Sequence, residues 1–235
     1  MRIGGFQKLS LLDYPGKLSA IVFTTGCNFR CPFCYVPHLV LPEIIKKSGE
    51  VPVDYVLSYL EKRRNLIDAV VITGGEPTIH DDLPVFIREL KSMSFLVALE
   101  TNGSNFGMLR QLIDDKLVDY IEMDIKAPLV FEKYNRAVGN VLTPKIFENV
   151  KSSVDLLLKS SIDYEFRTTL VKELHTKEDI LEICRSIRGA RRYYLQNLKR
   201  TGFFVGGKEL TSFNEEEIME ILNEGRKIVN VIYRK

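Results

Sequence analysis

Short apolar runs alternate along the chain with longer stretches in which apolar residues recur at helical spacing. Several runs are almost continuously apolar, as in residues 69–72, which fits parallel strands buried on both faces. The pattern predicts strands over residues 18–24, 69–73, 96–100, 120–125, 164–171 and 193–196. It predicts helices over residues 53–62, 82–93, 105–116, 145–159, 177–188 and 214–227.

This alternation indicates an α/β protein built from six βα units with right-handed crossovers. A doubly wound sheet and a barrel both satisfy it. The chain has no internal repeat, low-complexity tract or Pro/Gly-rich linker, so we expect residues 1–235 to form a single domain. Residues 228–233 are a candidate for a further strand, to which the pattern assigns no place.

Charge and composition exclude several classes of protein. The 235 residues carry 33 basic and 31 acidic side chains, so nothing demands a nucleic acid or an anionic membrane as partner. No run of about 18 apolar residues predicts a membrane span, and the N-terminus does not resemble a signal peptide. We therefore expect a cytoplasmic protein, in which clustered cysteines indicate metal binding or redox chemistry.

The four cysteines divide into three and one. Cys27, Cys31 and Cys34 lie within eight residues directly after the first predicted strand, with the spacing Cys-x3-Cys-x2-Cys. Cys184 lies inside an apolar helical pattern and is expected in the core. Packed thiols or a zinc site are the alternatives, but a closed zinc site normally takes four ligands. Three thiolates fit a [4Fe–4S] cluster that leaves one iron open.

The second predicted strand ends in Gly74, Gly75, Glu76 and Pro77. Adjacent glycines allow the backbone to approach a ligand closely, and Glu76 offers an acceptor for an ammonium group. Alone, such a sequence is often only a turn. Its position at a strand's carboxyl end, about 40 residues after the cysteines, makes it a candidate binding turn.

Polar side chains also follow the later strands, where ligand sites of α/β proteins form. Asp124 and Lys126 share one face of their strand, and an internal ion pair is the alternative to a binding role. Arg167 suits a carboxylate, although a solvated Arg at the rim is also compatible. The further candidates at strand ends are Thr101, Asn102 and Gln196. The histidines share no metal spacing, and we expect surface or capping positions for His80 and His175.

The cysteine spacing, with the aromatic Phe33 before the last cysteine, resembles the signature of radical S-adenosylmethionine (SAM) enzymes. The Gly-Gly-Glu-Pro sequence resembles the motif with which that superfamily contacts the methionine amine of SAM. Within it, the chain is similar to the glycyl-radical-enzyme activating group. The segment 6–16 resembles the one that precedes the cluster in activating proteins of anaerobic ribonucleoside-triphosphate reductase.

The resemblance implies a fold, cofactors and site residues. The fold would be an incomplete (βα)6 TIM-like barrel of parallel strands whose lateral opening admits a glycine-bearing loop. The cofactors would be a [4Fe–4S] cluster on three cysteines, SAM, and a monovalent cation near Glu100 and Thr101. The expected cluster ligands are Cys27, Cys31 and Cys34. The expected SAM-binding residues are Phe33, Gly74, Gly75, Glu76, Thr101, Asn102, Asp124, Lys126, Arg167 and Gln196.

The implied reaction is reductive cleavage of SAM to a 5′-deoxyadenosyl radical, which generates a glycyl radical on a partner enzyme. No catalytic residue is expected beyond the cluster and the cofactor. The first expected partner is anaerobic ribonucleotide reductase, with flavodoxin or ferredoxin as one-electron donor. Pyruvate formate-lyase or another glycyl radical enzyme is the next target. The alternatives are a small-molecule radical SAM enzyme of the deazapurine synthase type and an electron-transfer iron–sulfur protein.

Overall fold

A computed structural model describes residues 1–199 and 203–234. The chain divides into two compact units. The first comprises residues 1–28, 36–101 and 105–121, and the second comprises residues 29–35, 102–104 and 122–235. The prediction of a single domain stays a prediction.

The first unit is an antiparallel hairpin followed by parallel βα units. Its strands are β1 (Ile3–Ser10), β2 (Ser19–Thr24), β3 (Ala69–Gly74) and β4 (Leu96–Thr101). β1 pairs with β2 antiparallel, and β2, β3 and β4 pair in parallel. Its helices are α1 (Pro37–Val40), α2 (Pro42–Ile45), α3 (Val53–Glu61), a 3-10 helix (Pro77–Ile79), α4 (Leu83–Ser92) and α5 (Phe106–Asp114). β5 (Tyr120–Asp124) begins in this unit and ends in the second.

The second unit contains three parallel strands and four helices among its described residues. Its strands are β6 (Asp163–Leu170), β7 (Tyr193–Asn197) and β8 (Val231–Arg234), paired in that order. Its helices are α6 (Phe131–Ala137), α7 (Pro144–Lys159), α8 (Lys177–Ser186) and α9 (Glu215–Gly225). Capping boxes begin both α8 and α9, each satisfying backbone N–H groups that a helix start leaves without partners.

Burial follows the apolar runs. Residues 69–72 of β3 are fully buried, as their uninterrupted apolar sequence predicts. In the first unit a core cluster forms from Tyr14, Ile21, Ala69, Val71, Ala98 and Tyr120. In the second unit Cys184 is fully buried on α8, which confirms its predicted core position.

The six predicted strands and six predicted helices are all present with small shifts of their ends. The expectation of parallel strands alone is incomplete, because β1 is antiparallel. Gly4 and Gly5 interrupt the apolar alternation of β1, so its sequence gives a weak strand signal. The predicted segment 228–233 is a strand only from residue 231, where β8 begins, and β8 lies beside β7.

Candidate active site

The cluster loop, residues 26–35, follows β2 directly. All four cysteines lie in the described part of the chain, and none of them forms a disulfide. Across residues 1–199 and 203–234, no three His, Cys, Asp or Glu side chains are gathered as a metal site. The three cysteines of the loop nevertheless suit an iron–sulfur cluster, because such clusters are held by cysteine thiolates and these three thiols lie within eight residues. The assignment of the three cysteines as ligands stays a prediction.

Cys31 has the most buried thiol of the loop. Burial raises the pKa of this thiol to about 11, and the nearby Lys126 ammonium acts in the opposite direction. The same ammonium nitrogen lies 5.7 Å from the centroid of the Phe33 ring. A metal ligand must be deprotonated, so Lys126 provides the compensating charge that a thiolate at this buried position needs.

Backbone hydrogen bonds fix the second half of the cluster loop. The N–H groups of Val205 and Gly206 donate to the carbonyl oxygens of Cys34 at 2.9 Å and Pro32 at 3.0 Å. The N–H of Arg30 donates to the carbonyl oxygen of Val138 at 2.9 Å. These contacts were not predictable from the sequence, since a backbone pair far apart in sequence leaves no residue pattern.

The turn after β3 contacts the start of the cluster loop. Gly74 has a φ of +113°, and a Cβ on Gly75 would lie 1.9 Å from the carbonyl oxygen of Gly26. The N–H of Glu76 donates to that same oxygen at 2.8 Å. The two glycines are therefore required by conformation at one position and by space at the next.

The Glu76 carboxylate is a buried hydrogen-bond acceptor. Its Oε1 accepts from the Thr78 N–H at 3.1 Å, from the Thr78 hydroxyl at 2.5 Å and from the Thr101 hydroxyl at 2.7 Å. The structure thus brings together two residues that the sequence assigned to SAM. Charge-assisted bonds of this kind stabilise the turn after β3.

The two residues named for a cation have separate partners. Glu100 accepts a hydrogen bond from the Thr73 hydroxyl at 3.0 Å, and Thr101 donates to Glu76. Glu100 and Thr101 are successive residues of β4, so their side chains point to opposite faces of the strand. The monovalent cation stays a prediction.

Asp124, Lys126 and Arg167 meet in the second unit. Lys126 Nζ lies 2.6 Å from one carboxylate oxygen of Asp124, and Arg167 Nε lies 2.7 Å from the other. Desolvation acts to raise the pKa of Asp124, but Arg167 and Lys126 outweigh it and hold that pKa well below its usual range. Desolvation acts to lower the pKa of Lys126, but the adjacent Asp124 carboxylate outweighs this effect and raises that pKa. All three groups are charged at neutral pH.

Three further charged side chains extend this group, and none of them was predicted from the sequence. Arg167 also contacts Glu122 at 3.3 Å, while Arg234 contacts Glu122 at 3.6 Å and Glu165 at 2.9 Å. We call the set the ion-pair string; its members are Glu165, Arg234, Glu122, Arg167, Asp124 and Lys126. Charged residues lie two apart on β5 (Glu122 and Asp124) and on β6 (Glu165 and Arg167), so each pair shares one face of its strand. This spacing was the signal that could have revealed the string.

The remaining candidates have local partners. Asn102 Oδ1 accepts from the Ser104 N–H at 2.9 Å, and Gln196 Nε2 donates to the Thr169 hydroxyl at 2.8 Å. The surface or capping expectation fits His80, which ends the 3-10 helix, but is wrong for His175. His175 is 2% exposed, and both of its ring nitrogens are satisfied by the backbone: Nδ1 accepts from the Val171 N–H, and Nε2 bonds the Lys126 carbonyl oxygen.

Comparison with known proteins identifies the family. The sequence profile of the Radical SAM superfamily matches residues 21–187. A candidate glycyl-radical enzyme activating enzyme of Methanocaldococcus jannaschii is 32% identical, over 99% of this chain and 95% of that protein. The 7-carboxy-7-deazaguanine synthase of Aquifex aeolicus is 30% identical, over 67% of this chain and 62% of that protein. A radical SAM methyltransferase structure from Sphaerobacter thermophilus matches with a TM-score of 0.71 and 16% identity, over 97% of this chain and 69% of that chain.

The chain belongs to the Radical SAM superfamily. The structural likeness confirms the predicted α/β fold class, a partial TIM-like barrel with parallel strands. In the described part of the chain, no helix is long and apolar enough to cross a bilayer.

Proposed function

We propose that this protein is a radical SAM oxidoreductase that generates a glycyl radical on a partner enzyme, with anaerobic ribonucleoside-triphosphate reductase as the first target. The observation that carries the proposal is the hydrogen bond from Glu76 to Gly26, which joins the turn after β3 to the cysteine loop. The M. jannaschii relative, matched along nearly its whole length, supports the activating role.

When bound, a [4Fe–4S] cluster and SAM together supply a 5′-deoxyadenosyl radical, which abstracts a hydrogen atom from a glycine Cα. Cys27, Cys31 and Cys34 would hold the cluster. The turn that Gly74 and Gly75 form would bind the methionine amine through its backbone.

The other candidate contacts use charge and hydrogen bonding. Arg167 and Lys126 are the cations suited to the methionine carboxylate, and Asp124 is an acceptor suited to a ribose hydroxyl. Phe33, Thr101, Asn102 and Gln196 are the proposed contacts to the rest of the cofactor. Cation binding by Glu100 and Thr101 is part of the same proposal.

The proposed partners follow from this chemistry. The protein substrate would present a flexible glycine-bearing loop, and flavodoxin or ferredoxin would deliver the single electron. Pyruvate formate-lyase and other glycyl radical enzymes are the next targets. A reduced cluster and three thiolates favour a reducing compartment, for which the cytoplasm is the proposal.

A second candidate function is formation of 7-carboxy-7-deazaguanine. It is favoured by the A. aeolicus synthase, whose similarity covers 67% of this chain. It shares SAM cleavage with the first candidate and differs in taking a small-molecule substrate in place of a protein.

SAM cleavage is tested with anaerobically reconstituted protein, dithionite and SAM, by chromatographic assay of 5′-deoxyadenosine. We expect product from the wild type and from Cys184→Ala, and none from Cys31→Ala. An intact cluster without product would contradict radical SAM chemistry.

The target is tested by adding candidate glycyl radical enzymes to the same mixture and recording electron paramagnetic resonance spectra. We expect a glycyl radical signal with the anaerobic reductase. A signal only with another enzyme moves the assignment within the activating group. Formation of 7-carboxy-7-deazaguanine without any glycyl radical would support the second candidate.

A further inference from the structure

The ion-pair string joins β5, β6 and β8 by alternating charge, and all its members lie in the second unit. It runs from Glu165 on β6 through Arg234 on β8, Glu122 on β5 and Arg167 on β6 to Asp124, the last residue of β5. Its three carboxylates and three cations balance. It ends at the Lys126 ammonium, which faces the Phe33 ring of the cluster loop.

Two carboxylates of the string are almost inaccessible to solvent. The side chains of Glu165 and Glu122 are 1% and 5% exposed, whereas that of Arg234 is 41% exposed. A buried charge is strongly destabilising unless it is paired. Arg234 pairs with both carboxylates and packs its guanidinium 4.1 Å from the centroid of the Tyr194 ring.

Arg167 is shared between two carboxylates, at 2.7 Å from Asp124 and 3.3 Å from Glu122. The balance between these two contacts depends on how much of the Glu122 charge Arg234 neutralises. With Arg234 present, the shorter contact is the one to Asp124. Without the Arg234 charge, Glu122 would attract Arg167 more strongly and draw it away from Asp124.

We propose that Arg234 is a positioning residue, which holds Arg167 in the geometry that binds SAM by neutralising Glu122. Arg234 itself needs no contact with the cofactor. This inference rests on the proposed function only in taking Arg167, Asp124 and Lys126 as SAM contacts, and does not depend on which substrate receives the radical.

The test measures the dissociation constant of SAM by equilibrium dialysis with reconstituted protein. We expect Arg234→Gln to weaken binding about tenfold, the effect of about 1.4 kcal/mol. Arg234→Lys keeps the charge and should stay within about threefold, since it loses the guanidinium fork alone. Lys227→Gln removes an equal charge from an exposed position of the second unit and should bind like the wild type.

Two double-mutant comparisons separate positioning from general support of the fold. In a Glu122→Gln background, Arg234→Gln should change SAM binding less than about threefold, because the competing carboxylate is gone. In a Glu165→Gln background, it should still weaken binding about tenfold, because Glu122 remains charged. If Arg234→Gln weakened SAM binding equally in the wild-type, Glu122→Gln and Glu165→Gln backgrounds, the proposal would be overturned and Arg234 would be a purely structural residue.

Urea unfolding of the apoprotein provides a readout that needs no cofactor. Arg234→Gln should lower the midpoint, and Glu165→Gln should recover part of that loss without recovering SAM binding. If both recover together, the positioning role is wrong.

If the wild type bound SAM but formed no 5′-deoxyadenosine, the proposed function would be refuted and the Arg234 inference would stand. Equal SAM binding by wild type and Arg234→Gln would refute the inference alone. A wild type that binds no SAM would refute both.

Discussion

The backbone N–H of Glu76 donates to the carbonyl oxygen of Gly26 at 2.8 Å, one residue before the first cysteine of the cluster loop. The N–H of Gly75 donates to the carbonyl oxygen of Thr24 at 2.9 Å. These two bonds extend the β2–β3 pairing past the ends of both strands. The proposed amine-binding turn and the start of the cluster loop are therefore one hydrogen-bonded structure, so a displacement of either displaces the other.

Gly75→Ala should uncouple this structure. The added Cβ would lie 1.9 Å from the Gly26 carbonyl oxygen, a backbone atom that cannot yield as a flexible side chain does. We expect a loss of about 1–3 kcal/mol in the free energy of unfolding, together with reduced iron and sulfide content after reconstitution. Urea unfolding and elemental analysis measure the two effects.

Gly49→Ala is the matched control, because its added Cβ has no neighbour within 4 Å among the described residues. It should unfold and bind iron like the wild type. If Gly75→Ala did the same, the close approach at Gly26 would not govern the loop.

Gly139→Ala tests the second half of the cluster loop. Gly139 has a φ of +85°, and its added Cβ would lie 2.1 Å from the carbonyl oxygen of Arg30. Gly189 has a similar φ of +93°, but a Cβ there has no neighbour within 4 Å in the described chain. Gly189→Ala should therefore cost only the left-handed strain of about 1–2 kcal/mol, and Gly139→Ala should cost more.

The comparison uses urea unfolding of the apoproteins and iron content after reconstitution. Gly139→Ala should lose iron, and Gly189→Ala should retain it. Equal unfolding losses with full iron in both variants would mean that the loop adjusts to the added methyl group.

Strands were predictable from the sequence where burial on both faces removes polar residues. Residues 69–72 are such a run, and β3 lies there with its start at the predicted residue. Elements below two helical turns were not predictable, because α1 and α2 have four residues each and show no period. The antiparallel β1 was missed since two glycines replace apolar residues in its alternation.

The site was predictable where chemistry depends on spacing within one segment. The cluster loop and the turn after β3 are segments of that kind. The ion-pair string was only half predictable, because its pairs join strands distant in sequence. Asp124, Lys126 and Arg167 were each named for a ligand, and the structure shows that they also bond one another. Arg234, on the strand whose place the pattern did not assign, was missed.

The four cysteines should differ in what their loss does. Cys184 is fully buried on α8, where burial raises the pKa of its thiol to about 11, so it is a core residue. Cys184→Ala should cost about 1 kcal/mol of stability and keep the full iron–sulfur absorption. Cys27→Ala, Cys31→Ala and Cys34→Ala should each lose that absorption. Visible absorbance with urea unfolding tests all four, and loss of the cluster in Cys184→Ala would contradict the division.

His175 should make the apoprotein less stable in mild acid. Burial lowers the pKa of this histidine below 6.5, and Arg136 adds to that shift while the bond to the Lys126 carbonyl and Asp179 oppose it. A second proton would go to Nδ1, which accepts the Val171 N–H. Because the unfolded chain binds this proton more readily, the contribution is complete above pH 6.5 and is lost as pH falls below it. The midpoint temperature of unfolding should therefore decrease when the pH is lowered from 7.5 to 5.5.

His175→Gln should reduce this fall, since an amide does not titrate in the range. It should lower stability at pH 7.5, where the neutral imidazole contributes most, and lower it less at pH 5.5. His80, whose pKa burial also lowers, contributes a separate share that His80→Gln should remove, so the double variant should be the least pH-dependent. Thermal unfolding of the four apoproteins at both pH values measures the slopes. An unchanged slope in His175→Gln would show that its buried imidazole does not set the acid sensitivity.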